Sequence, residues 1–258
     1  MIAIISPAKT LDFSTQSAIS EGSDPQFLEE AIQLIDVMKK YSPSKLGALL
    51  KISPDLAQLN YVRFHTWSDT ANPDISQFAA LAFNGEVYRG LDAKTLTKEE
   101  LLYSQKSIRI LSGLYGLLRP LDWIQPYRLD MGVPVKGAGW NNLYEYWGDK
   151  IAKELNQDIM DSGSPYLINL ASAEYFKAIT RKLDFPVITP VFKQGHEGQY
   201  RAVTVYAKKA RGLMTRFIIQ NKITEPEDLK AFDVENYYYN SHLSTEKEWV
   251  FTREEGKY

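Results

Sequence analysis

The residues with the clearest chemical potential lie in the run Ala207-Lys208-Lys209-Ala210-Arg211-Gly212-Leu213-Met214-Thr215-Arg216. A helix is predicted to begin at Ala207, which puts three cations in its first turns. That end of a helix is already positive, and acids there are normally favoured by about 0.3–1 kcal/mol each. Helix stability alone does not select such a pattern. Unpaired backbone N–H groups, the positive dipole end and ammonium or guanidinium heads together form an anion site, most naturally for phosphate. The alternative is that the lysines extend into solvent from a core-packing helix while their stems cover apolar surface.

A second candidate, Ser6-Pro7-Ala8-Lys9-Thr10, follows an apolar run that reads as a buried strand. It falls at the C-terminal edge of an open α/β sheet, where ligands bind. Lys9-Thr10 looks like the end of a phosphate-binding loop, but the glycines of G-x-x-x-x-G-K-[ST] are absent. A purely structural lysine is the competing reading. The third candidate spans residues 46–57, where Leu46, Leu49, Ile52 and Ala57 follow the apolar spacing of a helix-hairpin-helix, a device that grips DNA phosphate through backbone amides. Lys51 and Ser53 stand where such hairpins usually carry glycine; Lys51 supplies a cation, and Ser53 an N-cap ahead of Pro54. An ordinary packed helix pair has the same spacing.

Thinner signals complete the list. Glu145 and Asp149 share a helix face at i, i+4 and read as paired carboxylates or as a solvated acidic face. Tyr115, Tyr127, Tyr144, Tyr146, Trp147 and Tyr175 accompany the segments of Arg119 and Arg128; most belong in a core, although such rings can stack bases. Lys9, Thr10, Arg119 and Arg128 together would line the phosphate pocket of a nucleotide enzyme. No Ser-His-Asp arrangement can be argued from spacing, and no G-x-G-x-x-G follows a strand. The chain has no cysteine, and His65, His196 and His242 lack metal-motif spacing, so neither metal nor cofactor is predicted.

The elements that must position these residues read as a mixed α/β (α+β) fold, one compact unit over 1–258 with a central mixed sheet flanked by helices and a helix-hairpin-helix-like segment at about 43–64. At 258 residues, 44% hydrophobic and 24% charged, the composition excludes disordered, collagen-like and coiled-coil chains. Strands are predicted over 1–6, 166–170, 187–192 and 200–206, and a strand with a buried turn over 108–121. Helices are predicted over 25–41, 44–50, 54–64, 97–107 (with a Thr97/Glu100 capping box), 142–156, 172–179 and 207–221. Residues 177–222 carry ten basic and two acidic side chains, a net of +8 in a chain whose total is −2. That asymmetry points to a local anion site, or to a solvated basic face. No run approaches the roughly 18 apolar residues of a membrane span, and the first residues lack a signal-peptide core, so a cytoplasmic protein is expected.

Six blocks, at 5–12, 82–91, 111–122, 125–132, 169–177 and 206–217, include Ser6-Pro7-Ala8-Lys9, Phe83-Asn84-Gly85-Glu86, Ser112-Gly113-Leu114-Tyr115-Gly116, Pro126-Tyr127-Arg128-Leu129, Asn169-Leu170-Ala171-Ser172 and Lys208-Lys209-Ala210-Arg211-Gly212. On these the chain resembles, along nearly its full length, the YaaA family of peroxide stress resistance proteins. The resemblance implies a bacterial protein that limits damage from unincorporated iron. It also implies binding DNA with little sequence preference through a positively charged cleft and a helix-hairpin-helix, which falls here at residues 46–57. The expected DNA contacts are Lys9, Lys51, Ser53, Lys208, Lys209, Arg211 and Arg216. The alternative is an enzyme acting on a nucleotide or nucleic acid, with Thr10, Arg119 and Arg128 in its phosphate pocket.

Overall fold

The computed structural model describes residues 1–14, 19–70, 74–196 and 198–254. All four residues of β1 (Ile2–Ile5) are buried, as a continuous apolar strand must be when both faces of its sheet are covered. After the short β2 (Thr10–Leu11), the apolar stripe forms α1 (Leu28–Met38), which buries Ala31, Leu34, Ile35 and Met38. α2 (Pro43–Leu50) and α3 (Pro54–Thr66) each start with a serine cap and a proline; Ser42 accepts from the Lys45 N–H and Ser53 from the Leu56 N–H, both at 3.4 Å. Lys51 closes α2 at φ 54°, the left-handed state in which glycine is the usual residue.

β3 (Gln77–Phe78), α4 (Ala79–Ala82), β4 (Phe83–Asn84) and α5 (Glu86–Leu91) are too short to leave a periodic signal. α6 (Lys98–Ser107) carries the predicted capping box, with Thr97 accepting from the Glu100 N–H at 3.2 Å and Glu100 from the Thr97 N–H at 2.6 Å. β5 (Ile108–Ser112) is the expected strand, and the stretch after its turn forms a further strand, β6 (Gly116–Leu118), followed by β7 (Trp123–Ile124). The helix predicted over 142–156 is in fact two, α7 (Leu143–Trp147) and α8 (Lys150–Asp161), because Gly148 adopts φ 53° and ends the first. β8 (Leu167–Leu170), α9 (Ala173–Phe176), β9 (Val187–His196), β10 (Gln199–Arg201), α10 (Thr204–Gln220), β11 (Tyr238–Tyr239) and β12 (Glu248–Glu254) complete the order.

The main sheet runs β11-β12-β9-β8-β1-β5-β6, with β10 paired to β9. β1 is parallel to both β5 and β8, and β9 is parallel to β8 and β12, whereas β6, β10 and β11 pair antiparallel. The fold is therefore mixed α/β with a mixed central sheet. Chain order reverses around β1, with β5 on one side and β8 on the other, the place where open sheets hold ligands at their C-terminal edge. Ile5 is level with Leu170, so the loops after β1 and β8 leave the sheet side by side.

The β-branched stretch at 200–206 predicts a strand, but β10 stops at Arg201 and α10 begins at Thr204. Packing overrides propensity here. α10 lies directly on α5: a Cβ on Gly212 would stand 1.8 Å from the Val87 carbonyl oxygen, and one on Gly90 would stand 2.2 Å from that of Lys209. Only glycine lets the two helix backbones meet, and that contact fixes which face of α10 turns toward the end of β1.

Candidate functional site

At the C-terminal ends of β1 and β8 lies a cavity of about 550 Å³, enclosed by the loop after β1, the β4–α5 junction, the β8–α9 turn and one side of α10. Its frame is polar and tightly tied. Ser6 Oγ accepts from the Ser172 N–H at 2.8 Å and donates to Ser172 Oγ at 3.3 Å, while the Tyr88 hydroxyl donates to the Ser6 carbonyl at 3.1 Å. Each backbone group at the two strand ends that accepts or donates in these bonds is thereby fixed in direction.

Lys9, Thr10, Lys208 and Arg211 line this one cavity, although two of them precede the others by about two hundred residues. Lys208 and Arg211 are i, i+3 neighbours and so share a face. They enter from the second turn of α10, because the helix starts at Thr204 and not at the predicted Ala207. Their side-chain charges, and not the helix N-terminus, therefore supply the positive field. Neither side chain has a hydrogen bond or ion pair with a described residue. Arg211 is partly buried, and desolvation lowers its guanidinium pKa from the usual value. An unpaired cation in such a position is costly, and a bound anion would offset that cost.

The other two cations of α10 have different work. Lys209 is paired with Glu235. Arg216 donates to the carbonyls of Leu91 and Asp92 at 3.0 Å and to Thr95 Oγ1 at 2.9 Å, satisfying groups where α5 ends. The carboxylates around the cavity are also engaged: Asp130 lies 3.6 Å from Lys9, Glu86 pairs with Arg89, and Glu174 accepts from the Gly132 N–H at 2.8 Å.

The pocket that would join Lys9, Arg119 and Arg128 does not form, since neither arginine lines the cavity. Arg119 is held by Asp122, its Nε 3.1 Å from that carboxylate, and also donates to the Asp24 carbonyl at 3.0 Å. Burial raises the Asp122 pKa in spite of its bonds from Ser23 and Arg119. Arg128, between buried Tyr127 and Leu129, has its Nε buried without a partner. Tyr115, Tyr127, Trp147 and Tyr175 are core residues.

Lys51 and Ser53 do not line the cavity. Lys51 is exposed at the α2–α3 turn, and the Ser53 hydroxyl is the cap of α3. The outer side of α3 exposes Leu56, Leu59 and Val62, an apolar stripe that adds no charge to the hairpin.

The sequence places Ser6 in the candidate segment 6–10 but does not single out Asn84, Tyr88, Asp130, Ser172 and Glu174, yet all six line the cavity. A lone serine, asparagine or tyrosine has no diagnostic spacing; the only signal was that each falls in a block carrying the family resemblance. Tyr175, noted only for its ring, directs its hydroxyl to Asp130 Oδ1 at 3.4 Å. Burial first, and then the charge of Asp130, raises its pKa, and burial does the same for Tyr88, so both phenols are hydrogen-bond donors at neutral pH. Among the described residues no group of three or more His, Asp or Glu side chains is placed to hold a metal, and no helix is long and apolar enough to cross a membrane.

The chain is similar to known proteins over the segments that build this cavity and beyond them. A family model described as peroxide stress protein YaaA matches residues 1–243. A UPF0246 protein of Hahella chejuensis is 46% identical over 255 residues, which is 98% of this chain and all of the relative. One from Colwellia psychrerythraea is 48% identical over 256 residues, 99% of this chain and all of the relative, and one from Idiomarina loihiensis is 48% identical over the full length of both. Similarity that reaches both ends of the chain and includes every segment of the cavity settles the affiliation: this chain belongs to the peroxide stress protein YaaA family.

Proposed function

We propose that this protein serves the peroxide response by gripping DNA through its phosphates, with little regard for sequence. The observation that supports this best is the pair Lys208 and Arg211, both without an acidic partner, beside Lys9 in one cleft. Lys51 at the exposed α2–α3 turn is a further phosphate contact in this reading, and the Ser53 cap holds that turn. Lys209 and Arg216 support the helix that presents the grip. Neutralising phosphates displaces the cations condensed on DNA, and in this reading those cations include iron. Damage from unincorporated iron is thereby limited indirectly.

The test is fluorescence anisotropy of labelled duplexes of unrelated sequence across a salt series. Similar affinities with a steep fall in rising salt are expected, each phosphate contact adding a log–log slope of about −0.9. Absence of binding at low salt overturns the reading. A second reading, an enzyme acting on a nucleotide or nucleic acid, draws on Tyr175 and Asp130 meeting in the same cavity. Its test is turnover of nucleotides and oligonucleotides by the purified chain, lost in Asp130→Asn.

A further inference from the structure

Gripping a backbone requires only a groove or a patch of cations, yet Lys208 and Arg211 stand at a concave cavity. Its volume of about 550 Å³ lies in the range of about 300–1,000 Å³ that suits small organic ligands. Pro7, Ala8, Val87 and Leu170 contribute apolar wall, which is poor solvation for phosphate and good solvation for a heterocycle. Tyr88 and Tyr175 line the cavity with their hydroxyls engaged by Ser6 and Asp130, each residue about 6% exposed. Asn84 also lines the cavity, and its side-chain amide has no hydrogen bond to a described residue. It presents a donor beside an acceptor, the pairing that reads a base edge.

We infer that the cavity accepts a single nucleotide unit extruded from DNA, its phosphate between Lys208 and Arg211 and its base on the Asn84 amide against the tyrosine floor. The inference rests on the DNA reading above and adds what part of the DNA enters. Extrusion costs a few kcal/mol of stacking and pairing, which the contacts to the two cations, the amide and the apolar wall must offset. A free nucleoside monophosphate has the same chemistry, so the test separates the two sources.

The full chain is mixed with a fluorescent duplex carrying one 5-iododeoxyuridine; anisotropy is read first, and the sample is then irradiated and digested. A base crosslink on the peptide holding Asn84 and Tyr88, or on that holding Tyr175, is expected at saturating protein. Asn84→Ala should lower its yield about fivefold, the worth of one hydrogen bond. If that variant does not fold, Asn84→Asp, which keeps the shape and removes the donor, serves instead. Salt-dependent anisotropy without a crosslink on those peptides overturns this inference and leaves the phosphate grip standing, whereas no anisotropy change at low salt overturns the grip. In a parallel arm, 5-iododeoxyuridine monophosphate replaces the duplex. Crosslinking by the free nucleotide but not by DNA overturns extrusion and assigns the cavity to free nucleotides.

Discussion

Two sides of α10 carry the same kind of charge and do opposite things. Lys208 and Arg211 face the cavity with no counter-charge, while Lys209 and Arg216 are consumed by Glu235 and by the end of α5. All four fall within nine residues of sequence. A cation is available to a ligand when the fold leaves it unpaired, and it is a structural strut when the fold gives it an acceptor. Counting charge along the chain does not separate the two cases.

The strongest way to break this comparison is to rotate or displace the helix. Gly212→Val places side-chain atoms where the Val87 carbonyl already stands, and a loss of about 3 kcal/mol or more is expected from urea denaturation. A wild-type midpoint would mean that the α5–α10 contact does not set the face. Next in size, the double variant Lys208→Glu/Arg211→Glu is expected to bind DNA about tenfold more weakly or worse, with a log-salt slope shallower by roughly 1.8 for two lost contacts and an unchanged urea midpoint. An equal effect from Lys209→Glu would erase the distinction between the two sides.

Arg216→Ala sharpens the comparison from the structural side. Three acceptors near the end of α5 lose their donor, which should cost about 2 kcal/mol of stability with the salt slope unchanged. The smallest effect is expected for Lys209→Ala. Its pair with Glu235 is about 40% exposed on the lysine side, so after solvent screening the loss should stay below about 1 kcal/mol, readable as a small shift in thermal midpoint.

Much of the scaffold was legible before any coordinates. α1, the serine-proline start of α3, the capping box of α6 and the buried β1 are local events, governed by periodicity or by groups three or four residues apart. Failures arose where distant packing decided. The start of α10 moved a turn earlier because a glycine-mediated contact with α5 outweighed β-branched propensity, and Gly148 split a helix that side-chain pattern alone made continuous. Of the candidate site, Lys9, Thr10, Lys208 and Arg211 were named in advance and do come together, while Arg119 was claimed by Asp122 and Asn84 went unnoticed.

The amino-acid sequence by itself determined which residue types were present to meet an anion, which segments were helix or strand by local rule, and the family to which the chain belongs. Only the tertiary structure decided which cations remain unpaired and that the end of β1 meets the flank of α10. The physical reason is that a charge is satisfied or left free by neighbours in space, at ranges of a few ångströms, and in this chain those neighbours are separated along the backbone by as many as two hundred residues.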